Sequence, residues 1–132
     1  MILYIVRGLP GSGKSTYARS LGCYHVESDM FHMQGGAYKY DSRNQKLAIS
    51  WCQRAVYYAM TEKMDVVVSN SFVTKESIEY FLNMDRKFGY MVKIMVKTKQ
   101  YGSIHNVPQE TIEAMRSNWE DIPGELRVDD PQ

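Results

Sequence analysis

Long apolar stretches are missing from this chain of 132 residues, whose longest uninterrupted apolar runs are five or six residues. A bilayer span needs about 20 and a signal-peptide core roughly 7–15, so neither is expected. The start MILYIV has no basic leader and runs straight into Arg7. It therefore reads as structural, and the protein is expected to stay in the cytoplasm with no membrane partner. Cysteine is scarce: Cys23 and Cys52 stand without metal-ligand spacing. They read as reduced core or near-core thiols, with no disulfide-linked partner. An excess of either charge is also lacking, and a net charge of +1 neither suggests nor excludes a nucleic acid, since a basic groove can hide in a balanced total. No internal repeat, low-complexity tract or linker divides the chain. Its length and 44% hydrophobic content suit one domain over 1–132.

What the chain does have is Gly8-Leu9-Pro10-Gly11-Ser12-Gly13-Lys14-Ser15, directly after Ile2-Leu3-Tyr4-Ile5-Val6. This is a G-x-x-x-x-G-K-[ST] phosphate loop between a β-branched strand and a helical segment at 16–21 that stops at Gly22. Gly8, Gly11 and Gly13 let the backbone N–H groups of the loop, those of Ser12 and Thr16 included, approach phosphate oxygens. Lys14 can reach the β- and γ-phosphates, and the Ser15 hydroxyl can ligate Mg²⁺. The positive end of the helix points at the same anion. ATP and Mg²⁺ are the expected ligand and cofactor.

The rest of the chain alternates strands and helices. A short strand at 24–28 ends at Asp29. Residues 30–43 carry Gly35-Gly36 and several aromatics and read as a mobile loop. A helix over 44–63 follows, with a broad apolar set of Leu47, Ile49, Trp51, Ala55, Tyr58 and Ala59. The β-branched run 66–68 reads as a strand buried on both faces and closes in Ser69-Asn70-Ser71. Thr74 caps a helix to about Phe88, with Arg86 and Lys87 in its last turn. In the strand over 90–98, Val92, Ile94 and Val96 alternate with Lys93, Met95 and Lys97, which predicts an edge strand with solvated lysines. Residues 99–107 form a second mobile loop. Pro108 opens a final helix whose inward face is Ile112, Met115 and Trp119, and the tail beyond Pro123-Gly124 is expected to fray. This βαβαβαβα order predicts an α/β P-loop NTPase fold: three layers around a parallel sheet of about four strands, order 2-3-1-4. The phosphate loop and the strand ends at Asp29, Ser69-Asn70 and Thr98-Lys99 then share the ligand-binding rim.

A phosphate loop alone does not separate GTPase, motor and kinase. The chain has no Asn-Lys-x-Asp guanine motif, is too small for a motor's sensor domains, and closes its buried strand in Ser69 rather than the usual aspartate. The acid well placed at a strand end is Asp29. A small kinase needs little beyond the loop, Mg²⁺, a base for the acceptor hydroxyl and a basic lid.

The loop, Asp29, the VVVSNSF segment and above all Val107-Pro108-x-x-x-Ile112-x-x-Met115-x-x-x-Trp119-Glu120 resemble the small P-loop kinases related to bacteriophage polynucleotide kinase. They are also similar to the kinase-like domain of ubiquitin-ligase-binding proteins, within the wider zeta-toxin and AAA-like P-loop kinase group. The resemblance runs from about residue 3 to 125. It implies that Asp29 is the general base toward a 5′-hydroxyl. An ionised carboxylate can take that proton, although ordering the waters of Mg²⁺ or capping the next segment are roles open to the same residue.

The chain also departs from that pattern. Relatives often read Val-Asp-Asn-Thr-Asn where it has Val68-Ser69-Asn70-Ser71-Phe72. Asn70 is retained and would position a phosphate or the acceptor. The arginine that relatives carry in the lid has no counterpart in Tyr101-Gly102-Ser103-Ile104, which leaves Lys97, Lys99 and His105 as the nearby cations. A lysine supplies charge without arginine's bidentate fork. Three residues after Asp29, where polynucleotide kinases hold a basic contact to the acceptor phosphate, stands His32, a residue type with little charge at neutral pH. Phe31, Tyr38 and Tyr40 could stack an acceptor base, but packing of the loop on the helices is the simpler reading. Three functions follow: transfer from ATP to the 5′-hydroxyl of a polynucleotide or nucleotide, transfer to a nucleoside or small metabolite, or nucleotide binding without transfer.

Overall fold

The computed structural model describes residues 1–34, 37, 38, 41–102 and 107–129. Its centre is strand β1 (Ile2–Gly8), followed by helix α1 (Lys14–Ser20) and strand β2 (Tyr24–Val26). Two-residue strands β3 (Met33–Gln34) and β4 (Ala37–Tyr38) pair antiparallel apart from the main sheet. Helix α2 (Gln45–Thr61) leads to β5 (Val66–Asn70). Helices α3 (Glu79–Leu82) and α4 (Met84–Phe88) lead to β6 (Met91–Lys97). Helix α5 (Gln109–Ser117) and strand β7 (Leu126–Arg127) complete the order.

The main sheet is parallel in the order β2-β5-β1-β6-β7. The four longer strands thus follow the expected 2-3-1-4, and β7 adds a fifth outside them. Strand alternation explains the layers, because successive side chains point to opposite faces. Leu3, Ile5, Val66 and Val68 join Cys52, Val56, Ile78 and Phe81 in one core cluster. Val6, Val67 and Met95 pack with Ala18 of α1 in a second, on the opposite face. Burial on both faces is what the β-branched run predicted for β5.

Several local expectations are corrected. Strand β6 is not the edge, and the tail as far as Asp129 is held to it. Val128 N–H donates to Val96 O at 2.9 Å, and Thr98 N–H and Oγ1 donate to Asp129 at 2.9–3.1 Å. Arg127 holds the same carboxylate at 2.8 Å, and these bonds lower its pKa to about 2. Lys97 is not solvated either, being only 3% exposed. Its register partner is Gly8, so its side chain runs beside the phosphate loop and its ammonium lies 5.9 Å from the Tyr17 ring.

Helix α2 buries Ala48, Cys52, Val56, Ala59 and Met60 and leaves Leu47, Ile49 and Tyr58 exposed. Its buried stripe alternates small residues with Val56 and Met60, and Trp51 and Tyr57 pack half-buried beside it. The single helix expected over 74–88 is broken into a 3₁₀ turn (Glu76–Ile78) and two short helices. Ile78, Phe81 and Met84 are all buried at a spacing of three, which suits three residues per turn better than 3.6. The segment expected as a mobile loop over 30–43 holds the end of a 3₁₀ turn (Ser28–His32), the β3–β4 pair and a second 3₁₀ turn (Ser42–Asn44). Phe31 lies edge-on to His32 and 6.3 Å from Trp51 of α2, so it packs on the helix. Tyr40 and His105 lie outside the described residues.

Candidate active site

The phosphate loop leaves the carboxyl end of β1 and turns into α1 through left-handed glycines, with φ of 84° at Gly11 and 85° at Gly13. Gly13 is also the N-cap, and no side chain caps the helix, which leaves its first N–H groups to an anion. Gly8 is needed for room rather than for φ. A Cβ there would lie 2.3 Å from Ser12 Oγ and 2.9 Å from the carbonyl of Lys97.

Around this loop the C-terminal ends of β1, β2 and β5 bring four side chains together. Ser15 Oγ donates to Glu27 Oε2 at 2.6 Å, and Ser69 Oγ donates to the same oxygen at 3.0 Å. His25 Nε2 lies 2.7 Å from Ser69 Oγ. Since the Ser69 proton is directed to Glu27, the network assigns the imidazole N–H to Nε2. Burial pushes the His25 pKa below its usual value, against the pull of Glu27 and with Arg19 reinforcing the loss. Lys14 is likewise lowered by burial, with the nearby carboxylates of Asp29 and Glu27 acting in the opposite sense. Glu27 was not singled out in the sequence, where it looked like one more residue of the second strand. The signal was the acid's position directly after β2, two residues before Asp29.

Asp29 sits in the 3₁₀ turn that continues from β2 and lines the cleft above the loop. Asn70 holds that turn: its Oδ1 accepts from Ser28 N–H at 2.8 Å and from Ser28 Oγ at 2.7 Å. Its Nδ2 faces Cys52 Sγ at 3.7 Å, and burial drives that thiol's pKa up to about 12, so Cys52 is inert at neutral pH. Asn70 therefore acts on the geometry of Asp29. His32 is 1% exposed with Nε2 3.3 Å from Gln45 Oε1, so it is packed under α2 rather than presented to the cleft. Lys99 is exposed and does not line the cleft, whereas Gly11, Gly13, Lys14, Ser15 and Thr16 do.

The described start of the segment expected as a lid is bonded to the phosphate loop. Tyr101 N–H donates to Gly11 O at 2.7 Å, and Gln100 Nε2 donates to Pro10 O at 3.2 Å. A Cβ on Gly13 would come within 3.1 Å of the Tyr101 ring.

Arg7 was passed over in the sequence and turns out to brace the site from below. It is fully buried. Its guanidinium donates to Phe72 O (2.7 and 3.0 Å), Val73 O (3.1 Å), Glu120 O (2.8 Å) and Glu125 Oε2 (2.6 Å). The Trp119 ring lies 4.0 Å from the guanidinium carbon. Glu120 adds two bonds of its own, N–H to Val73 O at 2.9 Å and Oε1 from Lys75 N–H at 2.8 Å. The Trp119-Glu120 pair is thus a clasp on the turn after β5. That turn is strained, with Phe72 at φ 46°, a conformation that a bulky residue holds only when its surroundings fix it.

Mg²⁺ fits this arrangement. Among the described residues no group of three metal-ligating side chains exists, but Mg²⁺ usually keeps several waters and takes only one or two protein ligands beside substrate phosphates. Ser15, backed by Glu27, supplies such a position. No helix among the described residues is long and apolar enough to cross a membrane.

Comparison with known proteins agrees with this fold. The sequence profile described as "AAA domain" matches residues 3–98. The chain is 26% identical over 136 aligned residues to human NEDD4-binding protein 2, covering 91% of this chain and 8% of that protein. It therefore spans under a tenth of that relative's length. Among solved structures, a sugar kinase from Janibacter sp. superposes with a TM-score of 0.66 at 14% identity, over 98% of this chain and 84% of the other. The structure of the Pnkp1/Rnl/Hen1 complex contains a match with a TM-score of 0.52 at 22% identity, over 85% and 38%.

Proposed function

This chain belongs to that AAA-domain family of P-loop kinase folds, and from this premise we propose that it transfers the γ-phosphate of ATP to a hydroxyl group. The observation that carries the reading is the convergence of Lys14, Ser15, Glu27 and Asp29 on one rim of the sheet. An acceptor oxygen forms a bond to the γ-phosphorus while the bond from that phosphorus to the β–γ bridging oxygen breaks. The electron pair leaves with ADP, and the acceptor proton passes to the Asp29 carboxylate. Lys14 and the loop N–H groups face the charge that accumulates on the transferred group and the leaving oxygen. Bound at Ser15, Mg²⁺ would neutralise phosphate charge. Glu27 orients Ser15 by accepting its hydrogen bond, and Ser69, itself bonded to His25, in turn holds Glu27. Lys97, buried beside the loop, adds positive potential on the nucleotide side. Two acceptor classes have support from the relatives: a 5′-hydroxyl of a polynucleotide or nucleotide, from the likeness to Pnkp1, and a hydroxyl of a small metabolite, from the likeness to the sugar kinase.

Transfer of labelled γ-phosphate to a panel of hydroxyl acceptors tests the reading. ATP binding without transfer to any acceptor would defeat it. Two variants sharpen the roles. Asp29→Asn is expected to slow transfer about 10²-fold or more, as for loss of a general base, with ATP affinity little changed. Full activity in that variant would remove Asp29 from proton transfer. Glu27→Gln keeps the size of the side chain but removes its charge. It is expected to weaken Mg²⁺ binding to the nucleotide complex about 10–100-fold, read by metal titration with a fluorescent ATP analogue. An unchanged Mg²⁺ affinity would confine Glu27 to a structural role.

A further inference from the structure

The cleft over the phosphate loop measures about 1180 Å³, above the roughly 300–1,000 Å³ that one drug-sized ligand occupies. It has room for a nucleotide and a second molecule. The nucleotide end is defined by the loop and α1. The other end is an arm between α2 and the segment that follows β5. Helix α2 contributes Gln45, Ile49 and Gln53, and the opposite wall contributes Thr74, Ser77 and Tyr80.

Charge is distributed unevenly between the two ends. Among the described residues that line the cleft, the cations are Lys14 and Arg19, both on the phosphate loop or α1, and the acids are Glu27, Asp29 and Glu76. The described residues of the arm carry amides, hydroxyls, an aliphatic and an aromatic face, and one charge, the Glu76 carboxylate. Proteins hold the phosphates of a nucleic acid through lysines, arginines and backbone N–H groups, and that term dominates affinity. Among the described residues the arm offers no such side chain, and the place where a basic contact would follow Asp29 is taken by the packed His32.

We propose that the acceptor is an uncharged hydroxyl compound of nucleoside or sugar size, held by amide and hydroxyl groups in this arm, and not a phosphate-bearing strand. This inference rests on the phosphotransferase reading above. In such an acceptor the attacking hydroxyl lies near Asp29 while its other hydroxyls or ring nitrogens pair with the arm, and Glu76 repels any analogue that carries a phosphate.

The experiment uses the full chain with ATP and Mg²⁺ and matched acceptors: nucleosides and neutral sugars, each beside its own phosphate monoester, and a 5′-hydroxyl oligonucleotide. The preferred acceptor is expected to be neutral, with its phosphate monoester at least about tenfold lower in kcat/KM, since like charges across a site are strongly disfavoured. Its KM should hold between about 50 and 200 mM salt, a range over which a strand bound through phosphates loses affinity steeply. Glu76→Lys reverses the exposed charge and should raise use of the phosphate monoester several-fold. An unchanged ratio in that variant would overturn the assignment of this arm. Preference for the oligonucleotide or a monoester would overturn the acceptor class and leave phosphotransfer standing. No transfer to any acceptor would overturn both.

Discussion

Lys14→Ala is expected to abolish measurable phosphoryl transfer, with a loss of at least about 10²–10³ in kcat and weaker ATP binding. The reason lies in where the ammonium sits. Burial lowers its pKa, and Asp29 and Glu27 act against that loss, so the charge is held in a site of reduced solvation. A fixed cation in such a site acts on phosphate more strongly than it would in water, because little solvent screens it. Alanine removes the charge and leaves the two carboxylates facing an incoming triphosphate with no cation between them. The variant is checked by single-turnover transfer and by nucleotide titration. Transfer within tenfold of the parent would mean that the loop N–H groups and Mg²⁺ suffice, and the proposed division of labour would be wrong. Lys14→Arg is a useful companion, since it keeps the charge but changes its shape and reach.

The second large effect is on stability. Arg7→Met is expected to destabilise the fold by about 3–5 kcal/mol, the usual cost of removing one partner from a buried ion pair. Methionine fills much of the volume but takes the arginine donor away from the Glu125 carboxylate and from the carbonyls of Phe72 and Glu120, while Val73 O keeps only its bond from Glu120 N–H. A buried acceptor that loses its donor carries its desolvation cost uncompensated. The strained turn at Phe72 loses the group that fixes it. For a chain of this size the loss corresponds to roughly 10–20 °C in Tm. Equilibrium unfolding in urea measures it, and a change below about 1 kcal/mol would show that the clasp contributes little. Arg7→Lys should rescue only a minor part, because one ammonium cannot reach four oxygens and lie flat under Trp119.

Much of the architecture was legible because its signals are local. The glycine spacing from Gly8 to Gly13 reports a backbone shape, and β-branched runs at 2–6 and 66–68 report strands covered on both faces. The strand order followed from right-handed crossovers and an outer place for the lysine-bearing strand. What was not legible depends on partners distant in sequence. Strand β7 is two exposed residues, Leu126 and Arg127, with no alternation to detect. Its pairing exists only because Val96 and Thr98 present open backbone groups beside it. Lys97 alternates like a solvated residue and is buried because its register places it beside Gly8. Arg7 was the detectable case. A charged residue in phase with Leu3 and Ile5 on a buried strand must find buried partners, even though the sequence does not say which. Within the site, Asp29 was visible at a strand end, whereas Glu27 needed the Ser15 bond to reveal it.

The central position of β1 has a consequence for how the chain acquires its shape during synthesis. Strand β1 is synthesised before both of its sheet partners, β5 and β6, which begin at Val66 and Met91. Arg7 finds its partners only at residues 72, 73, 120 and 125. At about 5–20 residues per second, the apolar run 2–6 waits several seconds for its first neighbour and longer for the clasp. Contacts this remote in sequence also slow closure in the free chain. The phosphate loop, residues 8–15, is therefore made early but gains its full setting only after β5 and β6 have paired with β1. During that interval the run Ile2-Leu3-Tyr4-Ile5-Val6 lacks the two strands that flank it in the folded sheet.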